Sequence, residues 1–240
     1  MKDLCVVLPV HNEASILTKS VDEVRKVLDK TKLNYEIIIA EDGSTDRTYQ
    51  IAKNIAKKYK NVKLIHFKRR LGRGKAVGNA FKKSKAKIVG FIDADLEVPA
   101  TYIPALIQEI ESGFDVVTGW RFYKFDWNYV FRIITSKIYS YLVKLLLNVN
   151  LKDTETGYKF FNRKSILPII DEIEAIHWFW DTEIVVRSYH KGLKIKEVPV
   201  IYIKQWESKS KVNVIQDSID YFRQLIKFRR KIKEMKNKRF

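Results

Sequence analysis

Short apolar runs alternate with longer segments of helical period along the first half of the chain. The runs lie at residues 4–9, 36–40, 62–66, 88–92 and 115–118. Each is brief and nearly free of polar interruption, which predicts strands buried on both faces. Segments 14–30, 45–58, 74–83 and 102–112 repeat apolar residues three and four apart and predict helices. Ser44 or Thr45 followed by Asp46 supplies a helix start. Repeated β–α units predict an α/β fold: a mostly parallel, twisted, doubly wound sheet flanked by helices. Ligands of such sheets bind beyond the carboxyl ends of the strands.

The second half is less regular. Residues 128–149 predict one long helix, with Ile134, Ile138, Tyr141, Leu142, Leu145 and Val149 on one face and Lys137 and Lys144 on a common face. It reads either as a core helix or as an interfacial helix with snorkelling lysines. Segment 153–163 predicts a turn and strand, 164–170 a short helix, and 181–191 a helix ended by Gly192. Segment 195–203 predicts a strand. Pro199 within it cannot donate to a ladder, so the strand belongs at a sheet edge. There is no internal repeat or low-complexity linker. The organisation expected is one compact domain over 1–212, followed by a basic amphipathic segment over 213–240.

Charge changes this picture. Lys and Arg number 46 against 28 Asp and Glu, a net charge of +18. That predicts a polyanionic partner: nucleic acid, a phosphorylated substrate or an anionic membrane surface. From Arg223 to Phe240 there are nine basic residues against the single acid Glu234. Basic side chains with apolar residues between them suit anionic lipid. A hydrophobic content of 46% excludes global disorder. The lone Cys5 excludes a disulfide framework and a cysteine-rich zinc site. No apolar stretch approaches the ~20 residues of a membrane span, and the expectation is that no signal peptide is present.

Candidate chemistry gathers at the predicted strand ends. The first strand runs into Pro9-Val10-His11-Asn12-Glu13, the second into Glu41-Asp42-Gly43-Ser44-Thr45-Asp46, and the fourth into Asp93-Ala94-Asp95-Leu96-Glu97. Three acidic clusters at one sheet edge repel each other unless a cation or hydrogen-bond donors offset them. Two carboxylates at i and i+2 after a buried strand suit a hard divalent cation that takes the rest of its shell from a diphosphate. Gly72-Arg73-Gly74-Lys75 lacks the Walker spacing and reads as a tight turn entering a helix. His66, His177 and His190 show no metal-like spacing. Trp178, Phe179 and Trp180 suit either a sugar site or core packing.

In their order, these motifs resemble family-2 glycosyltransferases of the GT-A fold, and within them the dolichyl-phosphate mannose and glucose synthases. Supporting stretches include Thr118-Gly119-Trp120-Arg121, Asp153-Thr154-Glu155-Thr156-Gly157, Trp180-Asp181-Thr182-Glu183 and Ser208-Lys209-Ser210-Lys211-Val212. The resemblance implies a Rossmann-like GT-A domain with Pro9, His11, Glu13, Ala40 and Asp42 around the nucleoside. Asp93, Ala94, Asp95 and Arg121 would meet the rest of the donor. Asp93, Asp95 and Glu97 would hold Mg²⁺ or Mn²⁺, and Arg132, Lys209 and Lys211 would surround an acceptor phosphate. His11 stands in place of the usual Tyr, and Glu41 in place of the first Asp of the usual pair.

The reaction so implied is inverting transfer of mannose or glucose from GDP-mannose or UDP-glucose to dolichyl or another polyprenyl phosphate. Asp93, Asp95, Arg121 and Asp181 are its candidate catalytic residues. The implied setting is the cytoplasmic face of a membrane. The basic tail and the 128–149 helix would attach the chain peripherally, or a membrane-spanning partner subunit would anchor it. Two other readings compete. A hydroxyl acceptor would need a general base, for which Asp181 is the candidate. A nucleic-acid-binding module using the basic tail would leave the acidic strand ends without a role, so nucleic acid is not an expected partner.

Overall fold

The structure is a computed structural model that describes residues 2–123, 130–203 and 214–237, with side chains of the later segments described over 133–203 and 221–234. Among the described residues, seven strands and eight helices run in the order β1 (Leu4–Val10), α1 (Leu17–Leu28), β2 (Tyr35–Asp42), α2 (Thr48–Lys58), β3 (Val62–Phe67), α3 (Arg73–Lys83), β4 (Ile88–Ile92), α4 (Ile103–Glu111), β5 (Val116–Tyr123), α5 (Val130–Leu147), β6 (Tyr158–Asn162), α6 (Arg163–Ile170), α7 (Trp180–His190), β7 (Ile195–Tyr202) and α8 (Val214–Asn237). The strands form one sheet of order β3-β2-β1-β4-β6-β5-β7. The first four strands are mutually parallel. β6 runs backwards between β4 and β5, and β7 is parallel to β5 at the far edge.

Strand β1 shows why the sheet is covered on both faces. All seven of its residues are buried. Cys5 and Val7 join a core with Phe81, Phe91 and Trp180, whereas Leu4, Val6 and Leu8 join a second core with Val21, Ile55 and Ile103. Period-two alternation thus feeds two apolar layers from one strand.

The structure lengthens two predicted strands. β2 runs on to Asp42 beside β3. β5 runs to Tyr123 because its second half pairs with β7 from Val198 to Tyr202. Pro199 lies in the edge strand, as its missing N–H requires. Two helices start later than expected. α1 begins at Leu17, after Glu13 O accepts Ile16 N and Leu17 N. α2 begins at Thr48, after Asp46 Oδ1 accepts Thr48 N at 2.9 Å.

The long helix of the second half divides its faces. Val143 and Leu147 are buried, while Ile134, Ile138, Tyr141 and Leu145 are more than half exposed. The terminal helix α8 packs on the body: Leu225, Phe228 and Ile232 are buried in the first core. Phe179 meets Tyr221 and Phe228 edge-on. Arg223, Lys227, Arg229, Arg230 and Lys233 remain on its exposed side. Among the described residues no helix is long and apolar enough to cross a membrane.

Candidate active site

Parallel register brings the carboxyl ends of β1, β2 and β4 together: Val10 lies beside Glu41, and Val7 beside Phe91. Asn12 takes a left-handed conformation at φ 56°. Its Oδ1 accepts Thr45 N at 2.8 Å and its own N–H donates to Ser44 Oγ at 3.0 Å. Glu13 N donates to Thr48 Oγ1 at 2.8 Å. These bonds occupy Ser44 to Thr48 as a turn, which is why α2 starts late. His11 Nδ1 bonds the backbone oxygen of Asp42 at 2.9 Å. Pro9 pairs in register with Ala40, and both are buried.

The Asp42 side chain straps the following loop: its two oxygens accept Leu71 N at 2.6 Å and Gly72 N at 2.9 Å. Gly43 sits at φ 65°, where a β-carbon would come within 2.8 Å of the Arg69 and Arg70 backbone. Glu41 is fully buried, accepts Ser44 N at 2.6 Å and pairs with His66. His66 therefore has a structural partner that its sequence spacing did not reveal.

At the end of β4 the dominant contact is a cation that sequence reasoning missed. Arg73, the first residue of α3, donates Nε to Asp93 Oδ1 at 2.8 Å and also bonds that oxygen through Nη2. Its Nη1 donates to Asp181 Oδ2 at 2.6 Å. Asp181 is buried, and Lys159 Nζ lies 3.9 Å from its Oδ1. Burial pushes the Asp181 carboxyl up to about 6, against the pull of Arg73 and Lys159. Burial likewise pushes the Lys159 ammonium down to about 8. Two signals could have found these residues. Arg73 places a cation at a helix N-terminus, where the dipole disfavours it. Lys159 interrupts the apolar run Tyr158-Lys159-Phe160-Phe161.

Asp95 turns its Oδ1 back to Glu97 N at 3.1 Å. Burial, then the charges of Asp93 and Glu97, push its carboxyl up to about 7. That crowding is a deficit of positive charge, and carboxylate oxygens are the donors a hard divalent cation takes. The residues fit such an ion as an open partial shell. Among the described residues no group of three or more His, Cys, Asp or Glu stands ready to hold a metal. Ala94 is buried and its carbonyl accepts Ser20 Oγ.

Arg121, expected at the donor, is held by carboxylates. Nε and Nη2 reach Asp153 at 2.6 and 3.0 Å, and Nη2 reaches Glu155 at 3.4 Å. Arg121 also lines a groove of about 700 Å³ between β5 and α5 with Trp120, Phe122, Tyr141, Lys137 and Lys144. Lys152 lies in the same groove, 3.8 Å over the Trp120 ring. Of the aromatic triplet, Phe179 and Trp180 are core while Trp178 is half exposed beside Arg73. Lys209, Lys211 and the side chain of Arg132, expected around the acceptor, lie outside the described residues.

The family description Glycosyl transferase family 2 matches residues 5–168, more than half of the chain. The chain belongs to glycosyl transferase family 2. Glycosyltransferase AglD of Haloferax volcanii is 32% identical over 232 residues, which cover 94% of this chain and 36% of that protein. The chain thus spans about a third of AglD. Dolichyl-phosphate beta-glucosyltransferase of Saccharomyces cerevisiae is 30% identical over 245 residues, covering 93% of this chain and 73% of that one. Among solved structures, glucosyl-3-phosphoglycerate synthase of Mycobacterium tuberculosis, in complex with Mn²⁺, UDP and glucosyl-3-phosphoglycerate, superposes with a TM-score of 0.71 at 20% identity. That match covers 94% of this chain and 77% of the synthase. The fold is GT-A, and this family-2 member is a glycosyltransferase.

Proposed function

We propose that this glycosyltransferase moves a hexose from a nucleotide-diphosphate sugar to a polyprenyl phosphate of the dolichyl type, with inversion, at a membrane surface. The observation that carries the reading is the groove between β5 and α5. Trp120, Phe122 and Tyr141 offer an apolar wall, and Lys137, Lys144 and Lys152 offer cations beside it. An acceptor with a hydrocarbon chain and a phosphate head matches both. The names of the yeast and Trichomonas vaginalis relatives, both dolichyl-phosphate beta-glucosyltransferases, support this acceptor class and glucose as the hexose. The UDP complexes of the structural neighbours support a uridine donor. GDP-mannose is the competing donor.

In the proposed step an oxygen of the acceptor phosphate attacks the anomeric carbon. The bond from that carbon to the donor diphosphate breaks, and its electron pair leaves with the nucleoside diphosphate. A phosphate monoester, with its second pKa near ~6, is largely a dianion at pH 7. No proton has to be removed, so positioning and charge carry the step. Pro9, His11, Glu13, Ala40 and Asp42 would frame the nucleoside. Mg²⁺ or Mn²⁺ held by Asp93 and Asp95 would neutralise charge on the leaving diphosphate. Arg121 would meet the donor, and Arg132, Lys209 and Lys211 would surround the acceptor phosphate.

Attachment to the cytoplasmic face of a membrane would use the exposed apolar stripe of α5 and the basic side of α8. A membrane-spanning partner is the alternative anchor. The second reading is a hydroxyl acceptor with Asp181 as base, favoured by the buried Asp181 Oδ1, which has no hydrogen-bond partner among the described residues. A donor screen with Mg²⁺ and Mn²⁺ against a short polyprenyl phosphate, measuring glycolipid, tests the proposal. Glycolipid formation from UDP-glucose is expected, with Lys211→Ala impaired. Near-total loss in Asp181→Asn with full activity in Lys211→Ala would shift the assignment to a hydroxyl acceptor.

A further inference from the structure

Arg73 is placed where a cation is hardest to keep. Its side chain is only 12% exposed, and it begins a helix whose N-terminal dipole opposes a positive charge. Its root is fixed, because the preceding Gly72 donates its N–H to Asp42. Its guanidinium lies between the rings of Phe91 and Trp178, with centroids 5.1 and 4.9 Å away. One fork reaches Asp93 and the other arm reaches Asp181. One oxygen of Asp93 is engaged in this way and the other, Oδ2, faces Gly157. The guanidinium thus joins a carboxylate at the end of β4 to one in the first turn of α7.

We propose that Arg73 is a positioning residue that serves as the internal counter-cation of Asp93, competing with a metal–nucleotide for it, and that it yokes Asp93 to Asp181. The inference rests on the proposed donor site at Asp93 and Asp95. When a divalent cation and a nucleoside diphosphate engage Asp93, the guanidinium is left to Asp181. The end of β4 and the start of α7 are thereby set relative to one another by a single planar group. A lysine cannot reproduce this, because a point charge on a flexible stem does not span two carboxylates in fixed directions.

The sign of one measurement separates this role from the commoner one. An arginine that grips the donor diphosphate loses nucleotide affinity when it is removed. A competing counter-cation gains it. Binding of UDP, and of GDP, in saturating Mn²⁺ is measured by calorimetry on wild type, Arg73→Gln, Arg73→Lys and the double variant Arg73→Gln with Asp181→Asn. The double variant removes one buried charge of each sign and guards against a folding failure of the single one. Arg73→Gln, or the double variant in its place, is expected to bind Mn²⁺–nucleotide about fivefold tighter. Turnover with the acceptor is expected to fall about tenfold or more, with Arg73→Lys between. Weaker or unchanged binding in the variants overturns the inference while leaving the donor assignment standing. Absence of nucleotide binding in the wild type overturns the donor assignment and the inference with it.

Discussion

Gly157 faces Asp93 so closely that a β-carbon on the glycine would lie 1.7 Å from Asp93 Oδ2 and 2.5 Å from Arg73 Nη2. The same glycine accepts Asp93 N through its carbonyl at 3.0 Å. Gly157→Ala must therefore push Asp93 out of place. Overpacking of this kind destabilises by about 1–3 kcal/mol, and displacement of a donor carboxylate lowers kcat about tenfold or more. Thermal melts and initial rates on the purified variant check both.

Asp42 answers for two backbone donors at once, Leu71 N and Gly72 N. Asp42→Ala leaves both without their acceptor and removes a carboxylate proposed to frame the nucleoside. The expected loss of stability is about 2 kcal/mol or more, with weaker nucleotide binding. Asp42→Asn keeps one acceptor oxygen and should lose less. Urea unfolding of both variants, with a nucleotide titration of each, gives the ranking.

Glu155 gives a pH-dependent stability with a definite sign. Burial holds its carboxyl at about 7 against an ordinary 4.5, with Arg121 pulling the other way. Between these values the native chain keeps a proton that the unfolded chain has lost. The group's contribution to stability therefore falls as pH climbs through that window, and stays lowest above it. Glu155→Gln should raise the unfolding free energy by an amount on the order of 1 kcal/mol at pH 8 and change little near pH 4.5. Denaturant unfolding at the two pH values measures it; an equal effect at both would refute the account.

Ile138 and Tyr141 stand in the middle of the open stripe on α5, 54% and 65% exposed. Ile138→Glu combined with Tyr141→Glu should leave the melting temperature within a few degrees and reduce partition onto anionic vesicles several-fold. Reversal of the exposed α8 cations Arg229 and Arg230 to Glu should reduce it further. Co-sedimentation at two salt concentrations separates the apolar share from the charged one.

Much of the fold was legible because β1, β2 and β4 are short apolar runs with polar signatures at their ends. The motif order placed the site at those ends for the same reason. The sequence was silent where a residue's role depends on a distant partner. Arg73 meets Asp93 20 positions on and Asp181 108 positions on, and no local pattern encodes either meeting. Arg121 stood out in the sequence as a candidate, whereas its pairing with Asp153 32 positions away was not legible. The helical period of 128–149 showed one apolar face but not which part of it the body covers. That was decided by α8, whose apolar residues fill the core beside α5.

The reversed direction of β6 has a consequence for how such a site can diversify. Its pairing sets Tyr158 beside Ile92, so the segment that enters β6 arrives at the catalytic edge, and the segment that leaves it departs on the opposite side. The proposed nucleotide end would be built by the loops after β1, β2 and β4, the other end by the segment before β6. The two halves meet at Gly157, whose carbonyl accepts Asp93 N, so that position has to stay glycine while its neighbours vary. A graft of residues 149–156 between relatives, with Gly157 kept, should exchange acceptor preference and leave the choice of nucleotide untouched.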